Sequence, residues 1–182
     1  MGKQYKALKA GDIAFIQEQK LFYVASVSCA EVNLSPKGYD SIRVVDSSTL
    51  LFMDYVGSGN RTYRDAKNEG KFTLVFNAFE GKAKILRLFC TAELIGNEHA
   101  DFPKYVEQFH EKASLVRDFF LFHIDAVESS CGEAVPLMSY QAERPALKEW
   151  MLKMDANNKL EAYKQQHRVP PDHHALEQEE TP

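Results

Sequence analysis

Between residues 21 and 56 the chain sets four short runs of β-branched and aromatic residues almost end to end. They read LFYVASVS (21–28), AEVNLSP (30–36), SIRVV (41–45) and TLLFMDYV (49–56). Runs of this make-up fit a pleated, half-buried surface. Between them lie Ser35-Pro36-Lys37-Gly38 and Asp46-Ser47-Ser48, whose residues favour tight turns. Parallel neighbours need a crossover of about a dozen residues or more, and these connections leave no room for one. A doubly wound parallel sheet is therefore excluded, and an antiparallel meander is expected.

Downstream the strand texture returns in KFTLVFNAF (71–79) and AKILRLFCTAELIG (83–96), joined at Glu80-Gly81 as a hairpin, and again in FFLFHIDAVES (119–129). Helical spacing of apolar residues marks 8–18, 99–112 and 144–166. Residues 57–70 read as a Gly-rich loop leading into a short polar helix that stops at Gly70. Seven or eight strands with three or four helices give a mainly β (α+β) fold, a small antiparallel β-barrel with peripheral helices. One domain is expected over residues 1–143 and a C-terminal helix packed on it over 144–167. A flexible tail is expected over 168–182, where Pro-Pro, His-His and acidic residues crowd together. His167, His173 and His174 are assigned to that tail.

Composition removes several functions. Twenty-two Lys and Arg against 26 Asp and Glu leave a net charge of −4, contrary to the basic stripe of a nucleic-acid binder. No apolar run approaches the roughly 20 residues of a membrane span, and the first residues lack the apolar core of a signal peptide. The expected compartment is the cytoplasm. The three cysteines, Cys29, Cys90 and Cys131, form no CxxC pair, so each is expected to be a small buried hydrophobe. There is no GxSxG elbow, and His110-Glu111 lacks the second His of a zinc-protease pair, so no metal site is expected. The 12 Phe, 8 Tyr and single Trp exceed what a small core needs. Phe119, Phe120 and Phe122 are assigned to the core or a subunit interface.

Three stretches can carry chemistry. Gly57-Ser58-Gly59-Asn60-Arg61-Thr62 combines freed backbone N–H groups, a guanidinium and a hydroxyl, which makes either an anion site or an ordinary loop with a helix cap. The spacing fits neither a P-loop nor a dinucleotide fingerprint. Asn33-Leu34-Ser35-Pro36-Lys37-Gly38 ends a strand with an amide, a hydroxyl and an ammonium, suited to a polar ring edge or to a plain turn. Arg87 interrupts an apolar strand and must find a partner, a ligand anion or a structural carboxylate.

The order of these motifs, from VNLSPKG through MDYVGSGNRTYRDAKNEGKFTLVFNAFEGKAKILRLFC, resembles the pyridoxamine 5′-phosphate oxidase-related family of FMN-binding split barrels. The Ser-Pro-Lys-Gly and Gly-Ser-Gly-Asn-Arg-Thr blocks are its specific part, and the likeness covers roughly residues 10–130. It implies FMN as cofactor and a homodimer with the cofactor at the interface. Asn60, Arg61 and Thr62 would take the phosphate. Asn33, Leu34, Ser35, Lys37, Asp54 and Tyr55 would lie along the ribityl chain and ring. Arg87 would flank the flavin, and Trp150 would stand near the pocket or in the core. The implied activity is an FMN-dependent oxidoreductase acting on an unknown small substrate, with hydride accepted at flavin N5. The alternative is a non-catalytic flavin- or haem-binding module. The Arg- and His-containing substrate motifs of true pyridoxamine-phosphate oxidases are absent, so vitamin B6 oxidation is not expected. No residue is assigned as a catalytic acid or base; Lys37 is the nearest charge to the ring.

Overall fold

The computed structural model describes residues 2–171. In chain order the elements are β1 (Lys3–Tyr5), α1 (Ala10–Glu18), β2 (Phe22–Val27), β3 (Asn33–Lys37), β4 (Ile42–Asp46), β5 (Thr49–Tyr55) and α2 (Arg61–Lys67). There follow β6 (Lys71–Asn77), β7 (Ile85–Ile95), α3 (Phe102–Gln108), β8 (Val116–Ser130), α4 (Ala146–Ala156) and α5 (Leu160–Gln166). The strands form one antiparallel sheet in the order β3-β2-β6-β7-β8-β5-β4, with β1 on the C-terminal end of β8.

This sheet is rolled but not closed. β2 and β5 stand four strand steps apart, roughly 19 Å in a flat sheet. Yet the rings of Phe22 and Phe52 lie 5.7 Å apart, centroid to centroid. The rolled interior holds Phe22, Val24, Phe52, Phe72, Leu74, Phe120 and Phe122, with Phe15 and Ile16 of α1 added to them. On the outer face α3 covers Leu51, Met53 and Phe119 with Phe102, Val106 and Phe109. Because β5 is covered on both faces, its sequence is a continuous apolar run rather than an alternation. Phe119, Phe120 and Phe122 are fully buried core, as expected.

The expected meander is corrected. β2 pairs with β3 and β4 with β5, but β3 and β4 are the two edges of the sheet and do not meet. The cause is burial: doubly covered β5 needs an inner position beside β8, while half-exposed β3 and β4 tolerate an edge. Pro36, which has no N–H to give a ladder, suits the edge strand β3.

Other boundaries also moved. The last strand begins at Val116, three residues earlier than expected, so Arg117 and Asp118 belong to it. The helix expected over 144–166 is two helices, broken where Asn158 takes a left-handed backbone (φ 55°), which Asn tolerates better than most residues. The two pack on Val56 and Leu115 through Met151 and Leu160, with Trp150 edge-on to Tyr163. Only Cys90 is a buried thiol; Cys29 and Cys131 are exposed, because they sit in the segments joining elements rather than on a covered strand face. His167 stacks on Tyr163 at 3.9 Å as the cap of α5 rather than lying in a tail. His173, His174 and the rest of the expected tail from residue 172 lie outside the described residues.

Candidate functional site

A cleft of about 350 Å³ opens between edge strand β3 and the end of β5, within the roughly 300–1,000 Å³ usual for small-molecule sites. One wall is β3. Its alternation sends Asn33, Ser35 and Lys37 into the cleft and Leu34 away from it, 63% exposed. The other wall is the end of β5 with Phe52, Asp54 and Tyr55. The loop of residues 56–60 and the first residues of α2 form the floor of one end.

At that end α2 is held to β2 by a buried carboxylate. Asp65 accepts hydrogen bonds from Ser26 (2.7 Å), Ser28 (2.7 Å) and the Nε of Arg64 (2.9 Å). Gly70 lets the chain leave α2 tightly, since a Cβ there would meet the carbonyl oxygens of Val27 at 2.6 Å and Asp65 at 2.7 Å. Asn33 donates to Ser26 (3.0 Å) and to Thr62 (3.2 Å), linking β3 to α2 across the cleft. Arg61 and Arg64 both pair with Glu31. With only seven residues, α2 has little macrodipole, so positive charge here comes from side chains.

The middle of the cleft rests on a buried charge network. Asp54 Oδ2 accepts from Arg117 Nε at 2.9 Å and from its terminal nitrogen at 2.5 Å. Lys37 reaches Asp54 Oδ1 at 3.3 Å. Burial alone would raise the Asp54 pKa, but the Lys37 and Arg117 charges outweigh it and hold the carboxyl below its ordinary value. Arg117 also donates to the carbonyl of Gly57 (3.1 Å), fixing the start of the Gly-rich loop.

At the far end Tyr39 stands in a left-handed conformation (φ 57°), strained for a bulky residue, with its hydroxyl donating to the Arg144 carbonyl at 2.6 Å. Its ring meets Tyr55 edge-on at 5.4 Å, and the Lys148 ammonium lies over both rings. Tyr55 and Lys148 share Glu111, at 2.7 and 3.0 Å. Burial, then the Glu111 carboxylate, push the Tyr55 hydroxyl up to about 12, so it stays protonated at neutral pH.

Of the ten residues the sequence singled out, eight line this cleft: Asn33, Ser35, Lys37, Asp54, Tyr55, Asn60, Arg61 and Thr62. Leu34 faces away. Within this chain Arg87 is not brought to the cleft. It lies on β7 opposite Glu128 and pairs with that carboxylate (3.2 Å) and with Ser130 (3.1 Å). Arg117 was missed. A guanidinium beside the apolar run FFLF carried the same signal that drew attention to Arg87, with a stronger outcome, since its side chain is only 4% exposed. Tyr39 and Leu147 also line the cleft and had no sequence signal.

Next to Arg117, the Asp118 carboxyl is pushed up to about 6, by burial first and by the Asp54 charge, against the pull of Arg168 and Arg117. The folded chain therefore holds this proton more tightly than the unfolded chain, where the ordinary value is 3.8. The associated stability is fully present below that value and is lost as pH rises through about 6, on the order of 3 kcal/mol. Denaturant titrations of wild type and Asp118→Asn between pH 4 and 7 should show the wild type losing ground to the variant as pH rises. Parallel pH profiles would contradict it.

An antiparallel sheet rolled upon itself, yet left open, with a cleft beside one edge strand, defines the split-barrel class. The known proteins this chain is similar to include pyridoxamine 5′-phosphate oxidase family proteins. It is 33% identical over 125 residues to the pyridoxamine 5′-phosphate oxidase family protein ustO of Aspergillus flavus, a match covering 66% of this chain. The chain spans about half (50%) of that relative's length. Among solved structures it resembles HupZ of Group A Streptococcus, with TM-score 0.53 and 19% identity over 66% of this chain and 92% of the other. It also resembles a protein assigned as a pyridoxamine 5′-phosphate oxidase from Lactobacillus delbrueckii, with TM-score 0.52 and 20% identity over 68% and 98%. At these identities the structural likeness speaks to fold alone. No family model matches the sequence. Among the described residues no helix is long and apolar enough to cross a membrane.

Proposed function

We propose that the cleft binds FMN and that the protein is a flavin-dependent oxidoreductase acting on a small substrate other than pyridoxamine phosphate. The observation that carries this reading is convergence. Side chains from β3, β5, the Gly-rich loop and α2 meet in one cleft with a phosphate-type donor set at one end and aromatic faces at the other. The donor set fits the group: the Asn60 amide, the Arg61 guanidinium and the Thr62 hydroxyl are the partners a phosphate monoester needs. Asn60 is 2% exposed, and the atom it can offer a phosphate is its donor Nδ2, which here donates to the Arg168 carbonyl.

In this reading Asn60, Arg61 and Thr62 hold the phosphate. Asn33, Ser35 and Asp54 face the ribityl chain, and Lys37 places positive charge beside the ring. Tyr39, Tyr55 and Leu147 close the apolar end. When bound, the flavin supplies the redox chemistry, accepting hydride at N5. The chain supplies binding and orientation. Asp54 and Tyr55 are already committed to ion pairs and hydrogen bonds, so neither is assigned as an acid or base. A homodimer completes the reading: edge strand β3 leaves Leu34 exposed, with Val32 just before it at 76%, and a second copy would cover them beside the cleft. Two exposed free thiols, Cys29 and Cys131, suit a reducing compartment such as the cytoplasm.

Titration with FMN, FAD and riboflavin tests the reading. FMN should bind with its absorbance band near ~450 nm perturbed, and riboflavin, lacking the phosphate, should bind more weakly. A spectrum unchanged on adding protein would overturn flavin binding. Oxidation of NADH or NADPH by the loaded protein separates an enzyme from a carrier.

A further inference from the structure

Beyond α5 the chain turns back over the anion end of the cleft. Arg168 forms a two-point ion pair with Asp118, at 2.7 and 3.1 Å, and its guanidinium lies 4.0 Å from the centre of the Tyr63 ring. From this anchor the backbone reaches the cleft residues. The Arg168 carbonyl accepts from Asn60 Nδ2 at 2.7 Å, and the Pro171 carbonyl accepts from Arg61 at 2.9 Å. Pro170 and Pro171 restrict the segment to extended backbone, so ordering it costs little entropy.

We propose that residues 168–171 form an autoinhibitory strap whose carbonyl oxygens occupy the hydrogen-bond donors of Asn60 and Arg61 and must leave when a phosphate-bearing ligand binds. The proposal rests on the reading of Asn60 and Arg61 as the phosphate's partners. Both contacts are made by neutral peptide oxygens. A phosphate offers the same donors charged oxygens, whose hydrogen bonds are roughly twice as strong, so a phosphate ligand displaces the strap while a neutral ligand does not. The anchor uses other side chains than the cleft donors: Asp118 and Tyr63 hold the Arg168 guanidinium. The strap can therefore be loosened by substitution without altering the residues that would receive the ligand.

The test uses the full chain, with Arg168→Ala and Arg168→Glu as independent ways of releasing the anchor. FMN should bind both variants about tenfold or more tighter than wild type, and riboflavin should show little difference. A second measurement follows trypsin cleavage of the Arg168–Val169 bond in wild type by mass. FMN or inorganic phosphate should accelerate that cleavage, and riboflavin should not. FMN binding equally well, or better, to wild type than to the variants would overturn the strap and leave the flavin reading standing. Phosphate-accelerated cleavage without flavin binding to any form would keep the strap and overturn the flavin. If no flavin binds and phosphate leaves cleavage unchanged, both fall.

Discussion

Alanine at Asp54 is expected to lower the unfolding free energy by about 3–5 kcal/mol, the usual cost of stranding one member of a buried ion pair. Asp54 and Arg117 have side chains only 5% and 4% exposed, and Asp54 receives two hydrogen bonds from that guanidinium. Removing the carboxylate leaves Arg117 with the Gly57 carbonyl alone, in a place where water cannot replace the lost partner. Lys37 suffers less, because at 19% exposure it can turn toward solvent. Asp54→Asn should cost less than Asp54→Ala, since it keeps an acceptor for Arg117. The Arg117→Leu, Asp54→Leu pair, which removes both charges, should recover much of the loss. Denaturant unfolding of the four chains checks this. A loss below about 1 kcal/mol in Asp54→Ala would show that the network contributes little to stability.

Arg61→Ala should weaken FMN binding about 10- to 100-fold while leaving riboflavin binding nearly unchanged. The size follows from removing a charged donor to a phosphate, about 1.5–3 kcal/mol at tenfold per 1.4 kcal/mol. It is held toward the lower end because the substitution also removes the strap's contact with Pro171, which competes for the same nitrogen. The split between the two flavins matters more than the absolute loss. If Arg61 acted only through the fold, by pairing with Glu31 near Arg64, both flavins would lose affinity together. Equal losses, or no loss of FMN affinity, would discard Arg61 as a phosphate partner.

Most of the cleft was legible in the sequence because its residues come from two local blocks. Alternation along a strand puts Asn33, Ser35 and Lys37 on one side whatever else the chain does. The stretch 57–62, a loop running into the start of α2, delivers Asn60, Arg61 and Thr62 as a unit. The same rule shows why the Leu34 side chain does not line the cleft: it stands between two cleft residues and so must face the other way. Arg87 and Arg117 illustrate what a linear reading leaves open. Both are arginines on largely apolar strands, and both have to be paired. Register set Arg87 opposite Glu128, and the register shift between β5 and β8 left Arg117 beside Asp54; both depend on which strands become neighbours.

The sequence alone determined the elements and their antiparallel character, because short apolar runs and tight turns are local facts with local physical causes. It also determined which polar side chains share a strand face or a loop. Only the tertiary structure decided that β3 and β4 are opposite edges rather than neighbours, and how far the sheet rolls before it stops. It alone carried residues 168–171 back onto Asn60 and Arg61, more than a hundred positions earlier. The physical reason is that these are contacts between distant segments, fixed by which apolar faces can be covered at once. No local stretch of chain encodes that choice.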